Sequence, residues 1–404
     1  MPSETIKLTA KFKLKEIPNG LDVLFSTYRE IVNFLISYAY ENNITSFYRL
    51  KKETYKNLRK EYPELPSHYH YTAIDMATKI YRGYRKRRGK AKGKPVFKKE
   101  VIMLDDHLFK LDFEKRIVKL STPSGRIELE FYPAKYHEKF KGWKVGQAWL
   151  VKTPKGLFIN VVFSREVEIR EPENFIGVDL NENNVTLCLP KGEFIQIITH
   201  EREIRTGYFV KRRKIQKNLR VGKKREELLE KYGSRERNRV DDLYHKLANK
   251  IVELAEKYGG IALEDLTEIR DSIRYSAELN GRLHRWSFRK LQRIIEYKAK
   301  LRGIKVIFVN PAYTSTLCPI CGGKLSPNGH RVLKCKCGFE ADRDVVGSWN
   351  VRLKALKMWG VTVPPESHPM KKGGWKVSRI DITQITADQN GYFMRRLRRA
   401  LLLQ

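Results

Sequence analysis

The chain has 404 residues, 41% of them hydrophobic, with 81 Lys and Arg against 46 Asp and Glu and a formal net charge of +35. That length suits two or three packed domains, and that hydrophobic share excludes a disordered polyelectrolyte. No run approaches the roughly 18 apolar residues of a membrane helix, and the opening "MPSETIKLTAKFKLK" lacks the apolar centre of a signal peptide. The expectation is a cytoplasmic, nucleoid-associated protein with no membrane partner. The charge excess is one-sided, whereas a Lys/Glu-rich thermophile surface raises both signs together. It therefore points to a polyanionic partner, because each neutralised phosphate releases condensed counterions.

Residues 5 to 14, "TIKLTAKFKL", alternate apolar with Lys and predict a half-buried strand with a basic outer face. Gly20 opens a helical pattern through Val23, Leu24, Phe25, Tyr28, Ile31, Val32, Phe34 and Leu35, and Tyr- and Lys-rich helical sequence continues to about residue 84. It ends in the basic, Gly-broken loop "GYRKRRGKAKGKPVFKK". From about 101 to 168 the period returns to two, with a hairpin expected around Pro154, Lys155 and Gly156. A strand, a helical insertion and further strands predict a β-barrel-like domain interrupted by a helical lobe. Tyrosines of that lobe are expected either to stack on bases or to pack in its core.

Beyond Pro172 a second domain begins. Three meander strands are expected over 175–180, 185–189 and 193–199, followed by a helical region over about 207–257. The short strand "IALEDL", the amphipathic helix "FRKLQRIIEYKAKLRG", the strand "IKVIFVNP" and the helix "DVVGSWNVRLKALKMWG" complete it. From Pro364 the Pro/Gly-rich tail reads as a basic helix or as disorder.

Three strands, helix, strand, helix, strand, helix is the order of a ribonuclease H-like domain, and its carboxylates fall at telling places. Asp179 lies within "IGVDL", Glu264 ends "IALE", and Asp342 and Asp344 precede the last helix. Ionised carboxylates at buried strand ends are costly unless neutralised. A converging trio would be neutralised by Mg²⁺, a hard cation that prefers oxygen, and two such ions can drive phosphodiester cleavage.

Before that helix, "CPICG" and "CKCG" supply Cys318, Cys321, Cys335 and Cys337 across a hairpin-like "GGKLSPNGHRVLK". Four thiolates suit one tetrahedral, structural Zn²⁺ with no open position, His330 being an alternative fourth ligand. Cys188, in "VTLCLP", reads as a small core residue. The run 208–225 offers Lys211, Arg212, Arg213, Lys214, Lys217 and Arg220 as nucleic-acid contacts, almost without acidic neighbours, and the earlier loop offers Arg85, Lys86, Arg87 and Arg88. His245 reads as a packing or phosphate-contacting residue rather than a base.

The ordered set "GVDLNENNV", "LEDL", "YTSTLCPICGG" and "CGFEADRDVVGSWN" resembles the TnpB (OrfB) proteins of insertion sequences, relatives of the type V CRISPR effector nucleases. The similarity is densest from about 174 to 355. It implies an RNA-guided, Mg²⁺- or Mn²⁺-dependent DNA endonuclease with a RuvC-type domain, a guide RNA and a double-stranded DNA target. It places the catalytic carboxylates on Asp179, Glu264 and Asp344. Asp344 is preferred to Asp342 by the family pattern Asp-x-Asn-x-Ala, from which Val346 and Ser348 depart. The second cysteine pair is likewise CxC where the family usually has CxxC. The implied layout has a wedge-type barrel at 1–18 and 95–170, a recognition lobe at 19–94, a nuclease domain at 172–313 and 340–360, a zinc insertion at 314–339 and a basic tail at 361–404. Two rival expectations are a guided repressor that no longer cuts and a transposase acting directly on DNA ends.

Overall fold

Alternation builds the first strand of the computed structural model, which describes residues 3–87, 93–267, 276, 280–281, 285–329, 331–360 and 377–383. Strand β1 (Ser3–Lys13) buries Ile6, Ala10 and Phe12 and turns Lys7, Lys11 and Lys13 outward. Two compact units are present: Thr5–Glu166, and Val167–Gln404 with Met1–Glu4.

In the first unit three helices follow β1: α1 (Leu21–Glu41), α2 (Phe47–Glu61) and α3 (Ser67–Arg85). The stripe of α1 buries Leu24, Phe25, Tyr28, Ile31, Val32 and Leu35, whereas Val23 and Phe34 of the expected pattern are exposed. Six strands come next: β2 (Val101–Leu104), β3 (Phe109–Asp112), β4 (Ile117–Thr122), β5 (Gly125–Glu130), β6 (Lys144–Thr153) and β7 (Gly156–Glu168). One sheet has the order β1-β7-β6-β2 and a second β3-β4-β5, and an antiparallel bridge from Leu14 to Phe131 links them. The expected hairpin joins β6 to β7, with Thr153 opposite Gly156 at φ +116°, where glycine is favoured. Helices and sheets share one core, so the lobe is packed into the strands rather than appended. Tyr28, Tyr69 and Tyr81 lie in that core, while Tyr48 is exposed.

The second unit is built on β8 (Asn174–Leu180), β9 (Asn184–Cys188), β10 (Phe194–Ile198), β11 (Gly259–Glu264), β12 (Lys305–Val309) and β16 (Val377–Asp381), in the order β12-β11-β8-β9-β10-β16. The meander β8–β10 is antiparallel, and β11 and β12 run parallel to β8. Strand β8 is apolar on both faces because both are covered. Ile176 and Val178 join a core with α5 (Lys223–Ala255) and α6 (Phe288–Leu301), and Phe175 joins one with α7 (Arg343–Met358). Three short strands, β13 (Ser326–Asn328), β14 (Val332–Lys334) and β15 (Glu340–Asp342), form a ribbon just before α7.

One expectation is refined and one changes here. The helical region from 207 to 257 is two helices, α4 (Glu201–Asn218) and α5, separated at Leu219–Gly222. The chain beyond Pro364 contains a strand as well: β16 pairs in parallel along β10, from Phe194 with Val377 to Ile198 with Asp381. Among the described residues no helix is long and apolar enough to cross a membrane.

Candidate active site and thiolate centre

Asp179 lies on the face of β8 that α7 covers. The two elements approach so closely that Gly177 has no room for a side chain and Gly347 has little. A Cβ on Gly177 would lie 2.1 Å from the Ser348 carbonyl oxygen, and one on Gly347 would lie 3.1 Å from Asp179 Oδ2. Strand β11 carries Glu264 one residue beyond Leu263, which pairs with Val178, so Glu264 ends up beside Asp179. Asp344 enters from the first turn of α7. Asp342 caps that helix through Oδ1, 2.9 Å from the Asp344 amide, so it orders the turn while Asp344 itself is buried.

Each carboxylate is held by a neutral donor. Asn181 Nδ2 donates to Asp179 Oδ2 at 2.8 Å, and Thr314 Oγ1 to Glu264 Oε1 at 2.5 Å. Asn184 Nδ2 and Gln196 Nε2 donate to Asp344 Oδ2 at 3.1 and 3.4 Å. Arg331, at the ribbon's end of the ladder, also donates to Asp344 Oδ2 and reaches Asp342 at 3.2 Å. Burial followed by the charges of Glu264 and Asp344 pushes Asp179 up to about 8. Burial also raises Glu264 and Asp344, against the opposing effects of Thr314 and Arg331. The site therefore holds more negative charge than its solvation supports, which is a demand for cations.

Sequence reasoning found the three carboxylates but not Asn184, Gln196, Thr314 or Arg331. Gln196 sits among apolar strand residues, where a lone amide is a legible anomaly, whereas Asn184 closes the polar run 181–184 and reads as part of a turn. Arg331 carries no such signal.

The four cysteines of the ribbon converge. All four Sγ atoms lie within 4.8 Å of one another, with Cys318 to Cys337 at 3.8 Å and Cys321 to Cys335 at 3.5 Å. A tetrahedron with Zn–S near 2.3 Å has edges of about 3.8 Å, so the set fits a tetrahedral ion. Gly322 and Gly338 take φ +72° and +92° to turn the chain after each pair, and the Gly323 amide donates to Cys321 Sγ. That amide lowers the Cys321 thiol, whereas burial raises Cys318. His330 lies outside the described residues, and Cys188 is fully buried in an apolar core. Asn350 of α7 donates to the Thr314 and Leu317 carbonyls, both at 2.8 Å, and so anchors the segment carrying the Glu264 partner and the first cysteine pair.

Among the basic candidates, Lys211, Arg213, Lys214 and Lys217 are exposed on α4, as is Arg220 beyond it. Arg212 differs, being paired with the buried Glu236 of α5, which also takes Arg205 at 3.6 Å. In the first unit Lys86 and Arg87 are exposed, Arg85 is half-buried, and Arg88 lies outside the described residues. His245 is exposed beside Tyr297, whose hydroxyl lies 3.4 Å from its Nδ1.

A multidomain α/β chain with a carboxylate centre under one helix and a thiolate centre at that helix's entrance is the class these features define. Residues 288–351, which include the four cysteines and Asp344 but neither Asp179 nor Glu264, match the family model of the Cas12f1-like TNB domain, and residues 24–121 match that of the uncharacterized protein MJ0013 family. The TnpB-like protein MJ0751 of Methanocaldococcus jannaschii is 37% identical over 276 residues, which are 64% of this chain and 98% of that protein. The chain thus belongs to the TnpB family, which is related to the type V CRISPR effectors. The CRISPR-associated endodeoxyribonuclease Cas12f1 of Sulfoacidibacillus thermotolerans is 40% identical over 119 residues, 28% of this chain and 26% of that one. Among solved structures, a Cas12f1–sgRNA–target DNA complex matches with TM-score 0.62 over 86% of this chain and 99% of its own, at 13% identity. A mini-RNA-guided endonuclease, CRISPR-Cas_phi3, matches with TM-score 0.51 over 90% and 94%, at 11% identity. At those identities the likeness is one of fold.

Proposed function

We propose that this chain is an RNA-guided, Mg²⁺-dependent endonuclease of a transposable element, cleaving double-stranded DNA next to a short flanking motif. One observation carries the reading: Asp179 is held between Glu264 and Asp344, all three intact and all three raised by burial. A guided repressor has no need to keep a buried carboxylate trio at such electrostatic cost. The sheet order β12-β11-β8-β9-β10 supports a RuvC-type, ribonuclease H-like nuclease domain over 172–313 and 340–360. The wedge (1–18, 95–170), recognition lobe (19–94), zinc insertion (314–339) and basic tail (361–404) complete the assignment.

In this reading Asp179, Glu264 and Asp344 hold Mg²⁺ or Mn²⁺. When bound, such ions activate a water and offset charge on the leaving oxygen. The chain's own contribution is orientation: Asn181, Thr314, Asn184 and Gln196 fix which oxygens face inward, so the ligands need no reorganisation. Cys318, Cys321, Cys335 and Cys337 hold a structural Zn²⁺ that sets the entry to α7. The exposed cations of α4, from Lys211 to Lys217, and Arg220 contact the phosphates of the guide RNA or the target strand. Sequence specificity comes from guide pairing, and the protein reads heteroduplex shape and the flanking motif.

The test is to express the chain with its native flanking DNA, sequence the RNA that co-purifies, and programme cleavage with it. The expected result is one discrete scaffold-plus-guide species and Mg²⁺-dependent cutting, which Asp179→Ala abolishes while RNA binding persists. Random RNA fragments, together with strand joining at DNA ends, establish the direct transposase instead. Guided binding without cutting establishes the repressor.

A further inference from the structure

We propose that His68, Asp105 and His107 form a second metal centre, for a transition cation of the zinc class, independent of the nuclease reading. His68 stands in the first turn of α3, while Asp105 and His107 stand in the turn from β2 to β3. One ligand atom from each lies within 4.8 Å of the others. The His68 and His107 rings are stacked, with centroids 3.9 Å apart and planes 16° from parallel, and His107 Nδ1 lies 3.2 Å from Asp106 Oδ1, so the exposed His107 ring must turn about its side-chain bonds to bring both in-plane nitrogens onto one ion. Asp105 Oδ2 is 2.6 Å from His68 Nδ1.

The frame around these residues is held without the ion. Asp105 Oδ1 accepts the amides of His107 and Leu108 at 3.1 and 3.2 Å, so Oδ2 remains the oxygen turned to the imidazole. Tyr69, next to His68, donates from its hydroxyl to the Ser121 carbonyl at 2.6 Å, and the Ser121 amide donates to the Leu108 carbonyl at 2.8 Å. Helix α3 and the turn are thus pinned to the same strand, β4, and present their donors from fixed backbones.

The donor set selects the ion. Two imidazoles and one carboxylate favour Zn²⁺, Co²⁺ or Ni²⁺, whereas Mg²⁺ prefers oxygen and retains its water. Three protein ligands leave a fourth position for water. An ion here clamps the helical part of the first unit to its strands.

The test uses full-length, tag-free protein, stripped of metal, refilled with Zn²⁺ and dialysed before metal counting. The wild type is expected to retain two ions per chain, and His107→Gln one, with affinity for the second ion lowered more than about tenfold. The His107 side chain is 63% exposed, so this change leaves folding intact, with circular dichroism as the control. With Co²⁺, the wild type adds a second ligand-field spectrum free of thiolate charge transfer, and His107→Gln lacks it. Retention of one ion by the wild type, or of two by His107→Gln, overturns the assignment.

Discussion

The Arg331 guanidinium donates through Nη2 to Oδ2 of Asp344, the same oxygen that Asn184 and Gln196 address. A cation carried by the ribbon thus compensates a buried carboxylate that a metal ion would also claim. Removing it leaves Asp344 with amide donors alone. Arg331→Ala is expected to destabilise the metal-free protein by about 1–2 kcal/mol, a modest figure because half of the arginine is exposed. Saturating Mg²⁺ should shrink the difference, since the ion supplies the missing charge. Thermal melts of both proteins with chelator and with Mg²⁺ make the comparison, and an unchanged difference argues against shared use of that oxygen.

What the sequence revealed follows from how local each signal is. Asp179 is legible because a charge inside "IGVDL" contradicts its neighbours, and the cysteine pairs because two turns each place two ligands. Arg331 is silent because its partners arrive only when β14 pairs with β15, setting Val332 opposite Asp342. Strand β16 is silent because "VSRID" has too few apolar residues to alternate clearly, and only the exposed edge of β10 makes it a strand. The break at Leu219–Gly222 within the helical region expected over 207–257 is silent because a charge run continues across it, and charge carries no period.

Gly177 and Gly347 separate folding from function at the approach of α7 to β8. Gly177→Ala drives a methyl into the Ser348 carbonyl and within 2.8 Å of the Arg352 amide, both backbone atoms that yield only by moving the helix. A loss of at least about 2–3 kcal/mol is expected. Gly347→Ala meets the Asp179 carboxylate at 3.1–3.2 Å, a side chain that can swing. It should fold with a loss below about 1.5 kcal/mol yet cut more than about tenfold slower. Urea melts and programmed cleavage distinguish the two, and equal effects on stability contradict the geometry.

The thiol inventory gives a direct readout of the ribbon. With metal bound, none of the five cysteines should react readily with a thiol reagent: four are ligands, and Cys188 is fully buried with its thiol pushed up to about 12. Chelation should release four reactive thiols and one zinc, and Cys188 should appear only on denaturation. Release of the metal should also loosen the start of α7, because the ribbon that precedes it has a small core. Fewer than four thiols released means that the four-sulfur set is not the ligand set.

The basic face of α4 divides into structural and binding cations. Arg212 is under one-quarter exposed against buried Glu236, so Arg212→Ala is expected to cost about 2 kcal/mol. Lys214 and Lys217 are exposed, and their removal should change stability by less than about 0.5 kcal/mol. It should instead lower the slope of log affinity for RNA against log salt by roughly 1 for each phosphate that is no longer neutralised. Filter binding across a salt series, beside thermal melts, reads both effects, and an unchanged slope removes these lysines from the interface.

The last strand has its own pH signature. Asp381, at the end of β16, accepts His200 Nε2 at 2.6 Å and the hydroxyl and amide of Thr383 at 2.6 and 2.8 Å. These bonds, His200 first, hold its carboxyl at about 2, below the ordinary aspartate value of about 3.9. Between those two values the folded chain binds fewer protons than the unfolded chain, so stability rises with pH there. The contribution is complete above about 4 and disappears as pH falls towards 2. Asp381→Asn lacks it at every pH. The melting-temperature difference between wild type and Asp381→Asn should therefore be widest near neutrality, hold steady down to about pH 5 and close below about 4. The difference will be small, because the pair is partly exposed and screened. A difference that stays constant from pH 6 to 3 means that these bonds do not favour the ionised carboxylate, and that β16 is held by its ladder to β10 alone.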